Sequence, residues 1–392
     1  MKKAVAILIV CVFTVFIGVI IGSDNVAHAS DGDEEQNKDV LNEIIDSLDT
    51  SEMDEIIAEL NDYGLNLNSK ELINSVISGD SIGLEFVFKI VLSFFLGDIS
   101  KYVGAMLLIV CISIITSMLG SLTSDFKSKQ VNKIIYIVTY ASVITIIVGL
   151  MASVIKETAV FIGKITEFNE KVFPLLFTIM SSLGATGAIS VYQPTLLFFS
   201  EILLKAINYV VMPLFYVNLS LCLVGHLGND LKISKICSVI KKFSDWLLGI
   251  MFGVFSTIVT SKGIVGASVD GIALRGIKYT IGGHIPVIGN YLKDGLDIVI
   301  ASMCVVKNAL GYVATIIMII FTLGPLLKNL TLILVMKMTS ALTDSLDGLR
   351  ISDTLSELAD VLKTFNILII GTGLCVVLML SMIILTLFPG VI

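Results

Sequence analysis

Pro213-Leu214-Phe215-Tyr216-Val217-Asn218-Leu219-Ser220-Leu221-Cys222-Leu223-Val224 lies inside an apolar window, 206–227. About 20 such residues cross a bilayer core of roughly 30 Å as a helix. A helix is required there because each backbone N–H and C=O in hydrocarbon needs a partner within its own segment. The stretch returns as Pro325-Leu326-Leu327-Lys328-Asn329-Leu330-Thr331-Leu332-Ile333-Leu334-Val335. Thirty-nine residues before each proline stands another, Pro174 and Pro286, in glycine-interrupted apolar sequence. Doubled runs of interrupted apolar segments point to a duplicated, polytopic membrane architecture.

The rest of the chain supports that class. Of 392 residues 55% are apolar and 15% charged, with a mean hydropathy of +0.95. A soluble fold of this size could not hide so much apolar side chain. Further apolar windows fall at 102–122, 134–155, 246–267, 308–327 and 364–388. The expected fold class is all-α: a polytopic helical membrane protein with a small N-terminal exported acidic helical segment and a possible internal duplication of broken helices.

Met1-Lys2-Lys3, an apolar run over 4–22 and Ala27-His28-Ala29 have the grammar of a signal peptide cleaved between Ala29 and Ser30. The alternative is an uncleaved anchor. Both place residue 30 onward outside the cytoplasm. Residues 30–85 hold sixteen acids against Lys38 and Lys70, whereas the membrane body carries more bases than acids. An acidic exported segment does not seek nucleic acid. The reading divides the chain into a signal peptide (1–29), an exported acidic helical segment (30–81), first membrane helices (82–171), membrane repeat 1 (172–267), and membrane repeat 2 with a C-terminal span (268–392).

Within the exported segment, Leu41, Ile44, Ile45 and Leu48 recur at helical spacing, as do Met53, Ile56, Ile57 and Leu60. Ser69 is placed to cap a third helix carrying Leu72, Ile73, Val76 and Ile77. These stripes suit either a solvated helical hairpin or a partner-binding module. Residues 82–98, with Glu85 and Lys89, either cross the membrane or lie in its interface.

Lysine-rich stretches 123–133 and 228–245 read as cytoplasmic under the positive-inside rule, and acidic 337–363 reads as external. Residues 156–171 favour neither side. The two copies of the repeat would cover 172–267 and 284–388. Because their matching loops differ in charge bias, an inverted-topology duplication is the expectation, with chance similarity of leucine-rich segments as its alternative.

Signatures of catalysis are missing from the sequence: it has no phosphate-binding Gly-Lys-Ser/Thr loop, no Gly-x-Ser-x-Gly and no His-Glu-x-x-His. The six cysteines lack zinc-ligand spacing and no disulfide framework is implied. No enzyme activity, cofactor or metal is therefore expected. Membrane-embedded charge is the default functional candidate, because it is costly in lipid. Glu201 and Lys205 can pair at i,i+4, and Lys307 precedes an apolar window; each either lines a pathway or sits near a helix end and snorkels. Candidate broken-helix positions are Pro174, Gly184, Gly187, Gly283, Pro286 and Gly289. Gly249 and Gly253 form a Gly-x-x-x-Gly packing seam, either within the chain or between subunits.

Several short motifs carry a resemblance. They are Phe173-Pro174-Leu175-Leu176, Leu183-Gly184-Ala185-Thr186-Gly187-Ala188, Tyr192-Gln193-Pro194, Trp246-Leu247-Leu248-Gly249, Val269-Asp270-Gly271, Ile285-Pro286-Val287-Ile288-Gly289 and Lys307-Asn308-Ala309-Leu310-Gly311. In this order they resemble the stage III sporulation protein AE family. Gly184-Ala185 departs from an expected glycine pair. The resemblance implies a multi-pass protein of the mother-cell-derived outer forespore membrane, its N-terminal segment extracytoplasmic. It implies a channel or secretion-like complex supporting the forespore after engulfment. The implied partners are other membrane proteins of the same operon, including an ATPase, and a forespore-side protein. The family has no assigned catalytic residues. A stand-alone secondary transporter and a non-transporting scaffold are the alternatives.

Overall fold

The computed structural model describes Ile45 and residues 51–61, 68–77, 99–100, 102–119, 129–183, 185–225, 233–284, 289–345 and 349–385. The segment read as a signal peptide with Ala29 and Ser30, residues 82–98, Gly184 and Pro286 lie outside them.

Every element among the described residues is helical: α1 (Ser51–Asn61), α2 (Ser69–Ile77), α3 (Tyr102–Leu119), α4 (Lys129–Ser182), α5 (Thr186–Ala206), a π-turn (Ile207–Val211), α6 (Met212–Val224), α7 (Ile233–His284), α8 (Gly289–Asp344) and α9 (Leu349–Leu385). Six of these stretches, with the π-turn joining α5 to α6, are long and apolar enough to cross a membrane. The all-α polytopic class read from the sequence is the one found.

Helices α8 and α9 form an antiparallel hairpin at the centre. Its seam holds Leu310, Val313, Ala314, Ile317, Leu358 and Leu362, all fully buried. Asn329 Nδ2 donates across the seam to Asn366 Oδ1 at 2.7 Å and to the Leu362 carbonyl at 3.0 Å. Three glycines allow close approaches: Gly311 lies against Ile384, Gly371 against the ring of Phe252 on α7, and Gly373 against Thr322 on α8. Helices α4, α6 and α7 pack around the hairpin. The outward faces stay apolar, with Ile134 and Val138 on α4, Val239 and Trp246 on α7, and Leu334 and Met338 on α8 exposed. An apolar exterior around paired polar groups suits a helix bundle whose solvent is lipid.

Several expectations change. Pro174 does not break a helix: α4 passes through it for 54 residues. The ring points outward, and the missing N–H costs one hydrogen bond that the flanking turns survive. The chain leaves the helix nine residues later, where the Ala185 N–H reaches back to the Met180 carbonyl at 3.0 Å. Gly187 lies in the first turn of α5, Gly283 inside the last turn of α7, and Gly289 opens α8, so these three flank breaks rather than occupy them. Pro325 is likewise interior to α8. Residues 156–171 are mid-helix rather than a loop, so the boundary at 171/172 divides a single element.

The inverted duplication is also overturned. Helices α6 and α8 both end, and α7 and α9 both begin, at one end of the bundle. Asp245 on α7 accepts from Thr364 Oγ1 on α9 at 2.8 Å, and the Tyr140 hydroxyl of α4 reaches both the Leu223 carbonyl at the end of α6 and Thr354 near the start of α9. The two stretches read as copies therefore run in the same direction. Their opposite charges arise from facing each other, not from opposite sides of the membrane.

The described part of the acidic N-terminal segment docks on the body. Met53 and Ile57 of α1, and Leu72, Ile73 and Val76 of α2, are buried. Helix α1 packs on α4 and α2 on α8. Lys171 bridges Glu55 at 2.5 Å and Glu167 at 2.8 Å. The cap of α2 is Asn68, whose Oδ1 accepts from the Lys70 N–H at 3.0 Å. Ser69 instead donates its hydroxyl to Asp54 at 2.5 Å, tying α2 to α1.

Candidate functional site

Polar side chains concentrate along the central hairpin at three levels. At the loop end, Lys337 Nζ lies 3.1 Å from Asp360 and donates to Ser356 Oγ at 2.7 Å. Lys363 pairs with the same Asp360 at 2.6 Å. Lys241 of α7 stands within electrostatic reach of Asp360 and Asp245. Thus α7, α8 and α9 each contribute charge, and bases and acids alternate. Spacing explains it: Glu357, Asp360 and Thr364 fall on one face of α9, while Leu355, Leu358 and Leu362 fall on the face against α8.

Beside this network Cys222 of α6, Cys237 of α7 and Glu357 of α9 converge, with their ligand atoms all within 4.8 Å. Both cysteines are buried. Spacing alone hides this cluster, since its members lie 15 and 120 residues apart in sequence.

At mid-height a cavity of about 320 Å³ opens between α4 and α8. Ser153, Lys156, Glu157, Lys164, Phe321, Pro325 and Lys328 are among its lining residues. Glu157 lies 3.6 Å from Lys328, and Lys164 Nζ sits 5.4 Å from the centroid of the Phe321 ring. Pro325 has no N–H to offer the Phe321 carbonyl one turn back, which adds an acceptor beside the lysines.

At the far end Lys307 is 1% exposed. Its ammonium donates to the carbonyls of Ile383 and Ile384, at 2.9 and 3.2 Å. These belong to the last turn of α9, whose carbonyls have no intrahelical donor. Lys307 is therefore a buried cap placed at the negative end of the helix dipole, and does not snorkel.

The other sequence candidates lie outside this interior. Glu201 and Lys205 pair at 2.5 Å on the outer face of α5, their side chains 61% and 64% exposed. Gly249 and Gly253 have nothing within 4 Å of a built-on side chain, so no seam forms there among the described residues. Of the candidates, Lys307 alone joins the buried polar system.

Residues 67–387 match the stage III sporulation protein AE family. The chain belongs to that family. It is similar to the stage III sporulation protein AE of Bacillus subtilis (strain 168), 25% identical over 309 residues, which cover 77% of each chain. No solved structure matches it. As a member of the stage III sporulation protein AE family with six apolar helices, it is a sporulation protein of multi-pass membrane character. The matched range takes in α2, both copies of the repeat and every polar level described above.

Proposed function

We propose that this chain is a structural membrane subunit of a multi-protein conduit serving the forespore after engulfment. It acts without catalysing a reaction, in the mother-cell-derived membrane, beside other membrane proteins of its operon, an ATPase and a forespore-side partner. The observation that carries the reading is the filled centre of the bundle. Leu310, Ala314, Ile317, Leu358 and Leu362 occupy the α8–α9 seam with no exposure. A passage built with this protein would run between chains rather than down the axis of one.

The same packing weighs against a stand-alone transporter, whose substrate site belongs near the midplane between repeats. The outward position of Glu201 and Lys205 removes one such lining. A scaffold that recruits partners through the apolar stripes of its N-terminal segment is disfavoured too, since Met53, Ile57, Leu72, Ile73 and Val76 of those stripes are buried on its own body.

The test is a sporulating strain lacking the gene. Arrest after engulfment, reversed by the intact gene, is expected. Co-purification of operon partners from membranes should accompany it. Normal spores without the protein would refute the reading.

A further inference from the structure

We propose that Cys222, Cys237 and Glu357 form a zinc(II) site that ties α6, α7 and α9 together at the loop end of the bundle.

Three separate helices deliver these side chains to one point. Their ligand atoms lie within 4.8 Å of one another, so small side-chain shifts bring them to one ion with bonds of about 2.0–2.3 Å. The burial is specific: Cys222 is 1% exposed and Cys237 4%. Cys222 lies two residues before the end of α6, and Cys237 four residues after the start of α7. Both therefore sit next to the connection 225–232, and an ion arriving from water has a short way to travel.

The donor set selects the metal class. Two thiolates are too soft for Mg²⁺ or Ca²⁺, which take oxygen ligands. The carboxylate is a poor ligand for Cu(I), which favours thiolate and thioether. A mixed sulfur–oxygen set suits Zn²⁺, and Co²⁺ as its spectroscopic stand-in. Binding proceeds as Zn²⁺ plus two thiols and a carboxylate giving the complex and two protons. No oxidant or reductant takes part.

The surroundings fit the product. Two thiolates and a carboxylate around Zn²⁺ leave one net negative charge, and the charge of Lys241 reaches Cys222. The Cys222 thiol now points to Asn218 Oδ1 at 3.9 Å. On deprotonation it loses that acceptor, and the Asn218 carbonyl oxygen becomes available as a fourth ligand in place of water. Asn218 is 1% exposed, so it is held at the site. This also gives the asparagine of the first repeat copy a role different from Asn329, which bridges α8 to α9.

The experiment uses the full chain, purified in detergent under reducing conditions, with Cys11, Cys111, Cys304 and Cys375 replaced by serine. Titration with Co²⁺ should give a thiolate charge-transfer band that saturates near one equivalent and is bleached by Zn²⁺. C222S and C237S should each weaken binding at least about tenfold, and E357Q should weaken it and alter the ligand-field bands. To guard against variants that fail to fold, the unaltered chain is also alkylated with and without Zn²⁺. Protection of Cys222 and Cys237 together, reversed by a chelator, supports the site. Equal alkylation with and without Zn²⁺, Co²⁺ binding that survives loss of both thiols, or a Cys222–Cys237 disulfide that forms as readily with Zn²⁺ present would each overturn it.

Discussion

Thr364 of α9 donates its hydroxyl to Asp245 of α7 at 2.8 Å, across 119 positions of sequence. This one hydrogen bond places a lysine-rich stretch and an acidic stretch at the same end of the bundle. Thiol labels on K242C and D353C, both exposed positions, should then react with a membrane-impermeant reagent from the same side. Reaction from opposite sides would restore the inverted arrangement.

Lys307 caps α9 from α8. K307M removes the cation and leaves two buried carbonyls without that donor, at a cost of about 2–4 kcal/mol. The thermal midpoint in detergent should fall by several degrees. An unchanged midpoint would mean that the ammonium is not the cap.

The glycines divide into two groups. A side-chain carbon at Gly371 meets the Phe252 ring, and at Gly311 meets Ile384. G371A and G311A should each destabilise by about 1–3 kcal/mol through overpacking. G249A and G253A meet nothing within the chain and should stay within about 0.5 kcal/mol. If G249A instead weakens co-purification of a second tagged copy, the outer face is a seam between subunits.

Glu55 lies outside the spanning segments. The hydrogen bond from Lys171, then its charge, holds the Glu55 carboxyl below its ordinary 4.5. A depressed folded value adds stability that is present above the unfolded value and lost as pH falls through the folded one. Being exposed, the pair is salt-sensitive and weak. Spin labels at Ala58 and Thr178 should report constant separation at neutral pH and broadening as the pH drops below about 4.5. E55Q should abolish that acid dependence; an unchanged profile would assign it to other groups.

Much of the architecture was legible in the residues. Apolar window lengths gave the spanning helices, and the stripes Met53/Ile57 and Leu72/Ile73/Val76 gave the buried faces of α1 and α2, because burial follows helical spacing. Pro174 and Pro325 misled, since proline was weighed as a breaker while α4 and α8 continue through it. The charge count over 228–245 and 337–363 misled for a related reason. Those residues are the polar faces of helices that pair with one another, and a rule for bare loops does not see pairing. The Cys222–Cys237–Glu357 convergence has no local signal at all, because only the packing of α6, α7 and α9 creates it.

Helices α4, α7 and α8 run unbroken for 54, 52 and 56 residues. At about 1.5 Å per residue each is roughly 80 Å long, far more than a bilayer core of about 30 Å. Even steeply tilted, such a rod cannot be submerged. The chain thus carries continuous shafts longer than the layer they are apolar enough to cross. Helices α1 and α2 are fastened to α4 and α8, so a load applied to them is transmitted along continuous backbone rather than through a flexible tether.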